Sequence, residues 1–92
     1  MIKSFRCKET RKLYNGQKAS KFDSRIVTRA IVKLDQLEAA LNLDDLRVPP
    51  SNHLESLGHN RAGQYSIRIN KRWRICFNWN EGARNVEITD YH

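Results

Sequence analysis

Residues 64–92 read QYSIRINKRWRICFNWNEGARNVEITDYH. Three runs of alternating apolar and polar residues, separated by turn-forming clusters, carry the two-residue period of half-buried strands. Tyr65, Ile67 and Ile69 share one face of the first run, and Trp73, Ile75, Phe77 and Trp79 one face of the second. These faces are the expected core side of a sheet. A two-residue turn at Asn70-Lys71 would set Ile69 against Arg72 and Ile67 against Arg74, mixing apolar and charged faces, so it is rejected. A three-residue connection, Asn70-Lys71-Arg72, pairs Ile69 with Trp73 and, on the outer face, Arg68 with Arg74. Like charges directly opposite destabilise a sheet. Two arrangements relieve the pair: an anion between the guanidiniums, which suit phosphate, or two side chains splayed into water.

In the third run Val86 and Ile88 belong inward. A hairpin around Asn80 to Asn85 that pairs Trp79 with Val86 sets Phe77 opposite Ile88 and Tyr91 opposite Arg74. Arg68, Arg74 and Tyr91 would then form a row across the outer face. Alternation sends Asp90 and His92 to the other side of Tyr91, so the three converge only if the backbone bends near Asp90.

Working back towards residue 1, Gly58 to Gly63 reads as a loop holding His59, Asn60 and Arg61. Leu54 to Leu57 begins a strand, with a bulge needed to turn both leucines inward. Pro49-Pro50 ends any helix and makes the chain extended. Leu43 to Leu46 adds one helical turn, with Asp44 and Asp45 near its N-terminal dipole. Upstream, Ile26, Val27, Ala30, Ile31, Leu34, Leu37 and Leu41 recur at steps of three and four, one apolar helical stripe. Asp23 or Ser24 caps this helix and Asn42 stops it. Arg29, Lys33 and Glu38 are assigned to its solvated face. Glu9 to Tyr14 makes a short helix closed by Asn15-Gly16, and Ile2 to Phe5 a short first strand.

Ninety-two residues suit one domain, 1–92, with a single core. The net charge of +7 points to an acidic partner such as nucleic acid. Lys and Arg outnumber Asp and Glu eight to two in residues 1–25 and six to three in 61–92, but are outnumbered five to three between. Cys7 and Cys76 lie far apart and show no zinc spacing, so reduced thiols and no metal are expected. No apolar run is long enough to span a bilayer, and MIKSFRCK lacks a signal peptide's apolar centre. A cytoplasmic protein is expected.

The stretch VPPSNHLESLGHNRAGQYSIRINKRWRICFNWNEGARNVEITDYH closely resembles the HigB toxins of bacterial type II toxin-antitoxin pairs, within the RelE superfamily. NRAGQYSIRIN, WRICF and VEITDYH carry the resemblance together, and the opening MIKSF and the DDLRVPP after the long helix fit it. The resemblance implies an α+β, microbial ribonuclease-like fold, with helices on one face of a small antiparallel-rich sheet and RNA on the other. It implies an endoribonuclease without cofactor or metal, cutting mRNA in the ribosomal A site and inhibiting translation. It also implies a HigA-type helix-turn-helix antitoxin as partner, through which alone the toxin meets operator DNA. Carried over by position, the catalytic residues are Arg74, Asp90, Tyr91 and His92. In the loop, where many relatives have a lysine and a carboxylate, this chain reads Leu57, Gly58, His59, Asn60 and Arg61. His53 and Glu55 receive no role.

In such a reaction the ribose 2′-hydroxyl attacks the adjacent phosphate, leaving a cyclic phosphate and a 5′-hydroxyl. The protein must supply a base, an acid and positive charge. His92 suits proton transfer near neutral pH. Asp90 would orient the imidazole or take a proton; Tyr91 would stack on a base, donate to phosphate or act as a weak acid. Arg74 would stabilise charge developing on phosphate. Arg61, Arg68, Lys71 and Arg72 are assigned to the RNA backbone, and lysines of the first 25 residues to ribosomal RNA. Two rivals share the basic sheet: a non-catalytic binding module and a gyrase-poisoning toxin like the ParE proteins.

Overall fold

The computed structural model describes residues 1–90, His59 by its backbone only. Helix α1 spans Lys8–Tyr14 and α2 Ser24–Ala39; short 3₁₀ turns occupy Leu43–Arg47, Pro50–Asn52 and His59–Arg61. Strands β1 (Glu55–Ser56), β2 (Gln64–Arg68), β3 (Trp73–Trp79) and β4 (Ala83–Asp90) form an antiparallel sheet in chain order. The α+β arrangement is the one expected. Ile2 and Phe5 make only isolated parallel bridges, to Ala83 and Val86, in place of a first strand.

Helix α1 stops where expected, with Asn15 as C-cap and Gly16 at φ 79°. Asp23 caps α2 by accepting from the Arg25 amide at 2.8 Å. Ile26, Ala30, Leu34 and Leu37 pack on Ile67, Ile75, Phe77, Val86 and Ile88 in one core cluster.

Four expectations for this helix are corrected. It ends at Ala39, two residues before Leu41, which is 86 % exposed. The cause is local: Ala40 is extended, and the Asp45 carboxylate accepts from the Leu41 and Asn42 amides, drawing the chain into the next turn. Ile31 lies off the core arc and is exposed. Lys33 is buried rather than solvated, since it sits three residues after Ala30 and four before Leu37 on the inward arc. Glu38 is also engaged, accepting from the Ile2 amide at 2.9 Å. Pro50 starts a 3₁₀ turn instead of an extended run, a position where its missing N–H costs nothing.

The β2–β3 ladder has the expected register, with Ile67 opposite Ile75 and Arg68 opposite Arg74. The β3–β4 ladder does not. Trp79 pairs with Ala83, Ile75 with Ile88, Arg74 with Thr89 and Trp73 with Asp90. The turn is shorter than expected because Glu81 (φ 55°) and Gly82 (φ 135°) adopt positive φ and reverse the chain at once. A register shift follows between Cys76 and Asn78, where Asn85 stands at φ 54°, so two β4 residues oppose Phe77. Asparagine tolerates that conformation better than most residues.

Candidate RNA-binding site

Because β2 and β3 alternate strictly, Ser66, Arg68, Arg74 and Cys76 share the face turned away from α2, and Glu87 and Thr89 of β4 join them. Arg74 is the best-held member. Its Nε donates to Ser66 Oγ at 2.7 Å and its Nη2 to the His53 carbonyl at 2.7 Å, while Glu55 Oε1 lies 3.8 Å away. The side chain is 13 % exposed. His53 can present its carbonyl there because it takes left-handed backbone (φ 44°) just after the Pro50–Asn52 turn. Two neutral acceptors fix the guanidinium, and the exposed Glu55 carboxylate stands beyond hydrogen-bond distance, so the positive charge is only partly offset.

The Arg68 Nε donates to the Asn70 carbonyl at 3.0 Å. The Asn70 side chain in turn accepts from the Arg72 and Trp73 amides at 2.8 and 2.7 Å, which fixes the three-residue β2–β3 turn. Lys71 projects from that turn and is exposed. Arg72 is neutralised differently. Its Nε and Nη2 lie 2.7 and 2.6 Å from Asp90 Oδ2, which raises its pKa through the hydrogen bond and the charge of Asp90. It also lies over the Trp73 ring, 6.0 Å from the centroid.

Arg61 is likewise committed, donating to Gln64 Oε1 at 3.0 Å and lying 3.8 Å from Glu87. Glu87 also meets Arg6 at 3.4 Å and accepts from Thr89 Oγ1 at 3.0 Å. Cys76, beneath this cluster, is fully buried and its thiol pKa is pushed up chiefly by burial.

The sequence-predicted residues therefore fall into two groups. Among the described residues Arg68 and Lys71 have no carboxylate within 4 Å, whereas Arg72 is held tightly by Asp90 at 2.6 Å and Arg61 and Arg74 each lie 3.8 Å from one, Glu87 and Glu55. The expected row of Arg68, Arg74 and Tyr91 is corrected: Thr89 stands across from Arg74. β4 continues through Asp90, and the expected bend there does not occur within the strand. Tyr91 and His92 lie outside the described residues.

Sequence reasoning missed residues that face the same region from elsewhere. Arg29, Lys33, Ser51 and His53 line, with Arg68 and Lys71, a concavity of about 370 Å³ between α2 and the β2–β3 turn. Lys33 was findable from its place on the inward arc of α2. His53 and Ser51 were not, because the Pro50–Asn52 turn that delivers them is a tertiary arrangement. Among the described residues, no group of three His, Cys, Asp or Glu side chains is placed to hold a metal, and no helix is long and apolar enough to cross a membrane.

Comparison with known proteins agrees with this architecture. The family described as RelE-like toxin of type II toxin-antitoxin system HigB matches residues 3–92. Toxin HigB-1 of Vibrio cholerae serotype O1 is 34 % identical over 93 residues, covering 100 % of this chain and 98 % of that protein. An uncharacterized protein of Haemophilus influenzae is 38 % identical over 77 residues, covering 84 % of this chain and 76 % of its own length. A toxin of this type is paired with a protein antitoxin. With its four-stranded antiparallel sheet, its two helices and a match across nearly the whole sequence, the chain belongs to the HigB family of RelE-like type II toxins.

Proposed function

We propose that this toxin is an endoribonuclease that cuts mRNA in the ribosomal A site and so inhibits translation. The observation that carries the reading is the placement of Arg74: a largely buried guanidinium, held by Ser66 and the His53 carbonyl, directly opposite a second arginine. Sheet stability alone gives no reason to oppose two like charges. Preorganised positive charge aimed at a phosphate gives one.

In the proposed reaction the ribose 2′-oxygen forms a bond to phosphorus and the 5′-oxygen leaves, giving a cyclic phosphate and a 5′-hydroxyl. No metal enters the step. Arg74 stabilises the crowded phosphate, a contribution of about 3 kcal/mol by analogy with one oxyanion donor. His92 exchanges the protons, Asp90 orients it or shares the proton, and Tyr91 stacks on a base or donates to phosphate. Arg68 and Lys71 hold the RNA backbone. A HigA-type antitoxin is the partner that silences the protein, which works in the cytoplasm at the ribosome.

The test is cleavage of mRNA on ribosomes by the purified chain, mapped by primer extension. Wild-type protein yields breaks within the A-site codon. Absence of breaks replaces the nuclease with a ParE-like poison, if the chain inhibits DNA supercoiling by gyrase, or with a binding module, if it does not.

A further inference from the structure

Lys33 is 7 % exposed, and its ammonium donates to the buried Asn52 Oδ1 at 2.6 Å and to Ser51 Oγ at 3.4 Å. Neither partner carries charge. A buried lysine is ordinarily paired with a carboxylate, because removing an ammonium from water is costly. Here burial and the neighbouring Arg29 both push its pKa down. Arg29 spends one donor on the Ile69 carbonyl at 3.3 Å, and Arg68 spends one on the Asn70 carbonyl. Among the described residues none of Arg29, Lys33, Arg68 and Lys71 has an ion-pair partner, yet all four line one concavity. Four uncompensated cations around a hollow repel one another unless an anion enters.

We infer that the concavity between α2 and the β2–β3 turn is a second phosphate subsite, in which Arg29, Lys33, Arg68 and Lys71 take an RNA backbone phosphate other than the one being cleaved. The inference rests on the nuclease reading and adds α2 to the RNA path. The His53 backbone holds Arg74 while its residue lines the concavity, which makes the subsite a neighbour of the scissile phosphate. Asn52 fixes Lys33 from beneath and is itself tied to the Leu46 carbonyl at 3.1 Å, so the floor is built before the ligand arrives. A hollow lined by Arg25, Thr28 and Val32 continues past Arg29 along α2, giving the strand a way out.

The test measures binding of a 2′-O-methyl RNA hexamer, which lacks the nucleophile and is not cut, across a series of salt concentrations. Arg29→Gln and Lys71→Gln are compared with wild type in the full chain; Lys71 is exposed, so its variant leaves the fold alone. Each variant is expected to bind about fivefold to tenfold more weakly, and the slope of log affinity against log salt to fall by about 0.7. Wild-type affinity and slope in both variants would overturn the subsite while leaving the RNA reading intact. Failure of the wild type to bind the hexamer would overturn the subsite, while cleavage of mRNA on ribosomes decides the nuclease reading separately. If a polyglutamate peptide binds instead and Arg29→Gln abolishes it, the occupant is an acidic protein segment and the phosphate assignment is wrong.

Discussion

Arg68 and Arg74 stand directly opposite each other across β2 and β3, and both guanidiniums turn onto neutral oxygens: Arg74 onto Ser66 and the His53 carbonyl, Arg68 onto the Asn70 carbonyl. The like-charge contact is thus eased mainly by these acceptors, with the Glu55 carboxylate 3.8 Å from Arg74 and no free splaying into water. Each arginine is drawn sideways by its own acceptor, and the positive charge stays on the outer face. Replacing Arg68 by Gln removes the repulsion and loses one hydrogen bond. We expect stability in low salt to be unchanged or raised by up to about 1 kcal/mol, with weaker RNA binding. Urea denaturation beside hexamer binding checks the pair of effects; lower stability with normal binding would contradict them.

Arg74→Lys keeps the charge but loses the planar fork that reaches Ser66 and His53 together. Cleavage is expected to fall about a hundredfold, in the range found for losing one preorganised donor. Arg74→Ala also strands the fully buried Ser66 hydroxyl, at a stability cost of about 1–3 kcal/mol. Cleavage rates and thermal midpoints separate the two effects. If Arg74→Lys cleaves normally, fixed guanidinium geometry is not part of the reaction.

Gly82 combines φ 135° with a backbone neighbour: a Cβ there would sit 2.7 Å from the Met1 carbonyl oxygen. Gly82→Ala must therefore strain the β3–β4 turn and push the first residues off β4, where Lys3 donates to the Ala83 carbonyl. A loss of about 2 kcal/mol or more is expected, from strain and overpacking together. An unchanged denaturation midpoint would show that the turn relaxes without cost.

These local features explain what could be read from the sequence. The β2–β3 register was legible because any slip would have placed Arg72 or Arg74 among isoleucines. The β3–β4 register was not, because Gly82 shortens the turn and Asn85 adds a residue through left-handed backbone, neither of which the alternation records. The core arc of α2 was legible as far as Leu37, but the competing Asp45 cap that ends the helix comes from beyond it. Lys33 looked solvated because its partner Asn52 arrives from 19 residues away. Of the candidate site, residue types and strand faces were legible; which arginines are spent on Glu87 and Asp90 required the tertiary structure.

The cap of α2 gives a pH dependence. The Asp23 carboxyl is lowered from 3.8 to about 2 by the Arg25 side chain first and the Arg25 amide second. A depressed carboxyl contributes stability that is complete above its unfolded value and is lost as pH falls through its folded value. The loss belongs between about 3.8 and about 2, and salt weakens it because the pair is exposed. Across that window the thermal midpoint of wild type should fall more steeply than that of Asp23→Asn, which keeps an acceptor without the charge. Parallel curves would remove Asp23 from the acid response.

The central claim is that Arg74 and the residues following β4 cut RNA. Primer extension on ribosomes programmed with mRNA, using wild type, Arg74→Ala and His92→Gln in parallel, tests it most directly. Wild type should break the message within the A-site codon, and each variant should slow the break about a hundredfold or more. Intact message with wild type, or breaks of equal rate in all three, would contradict the account.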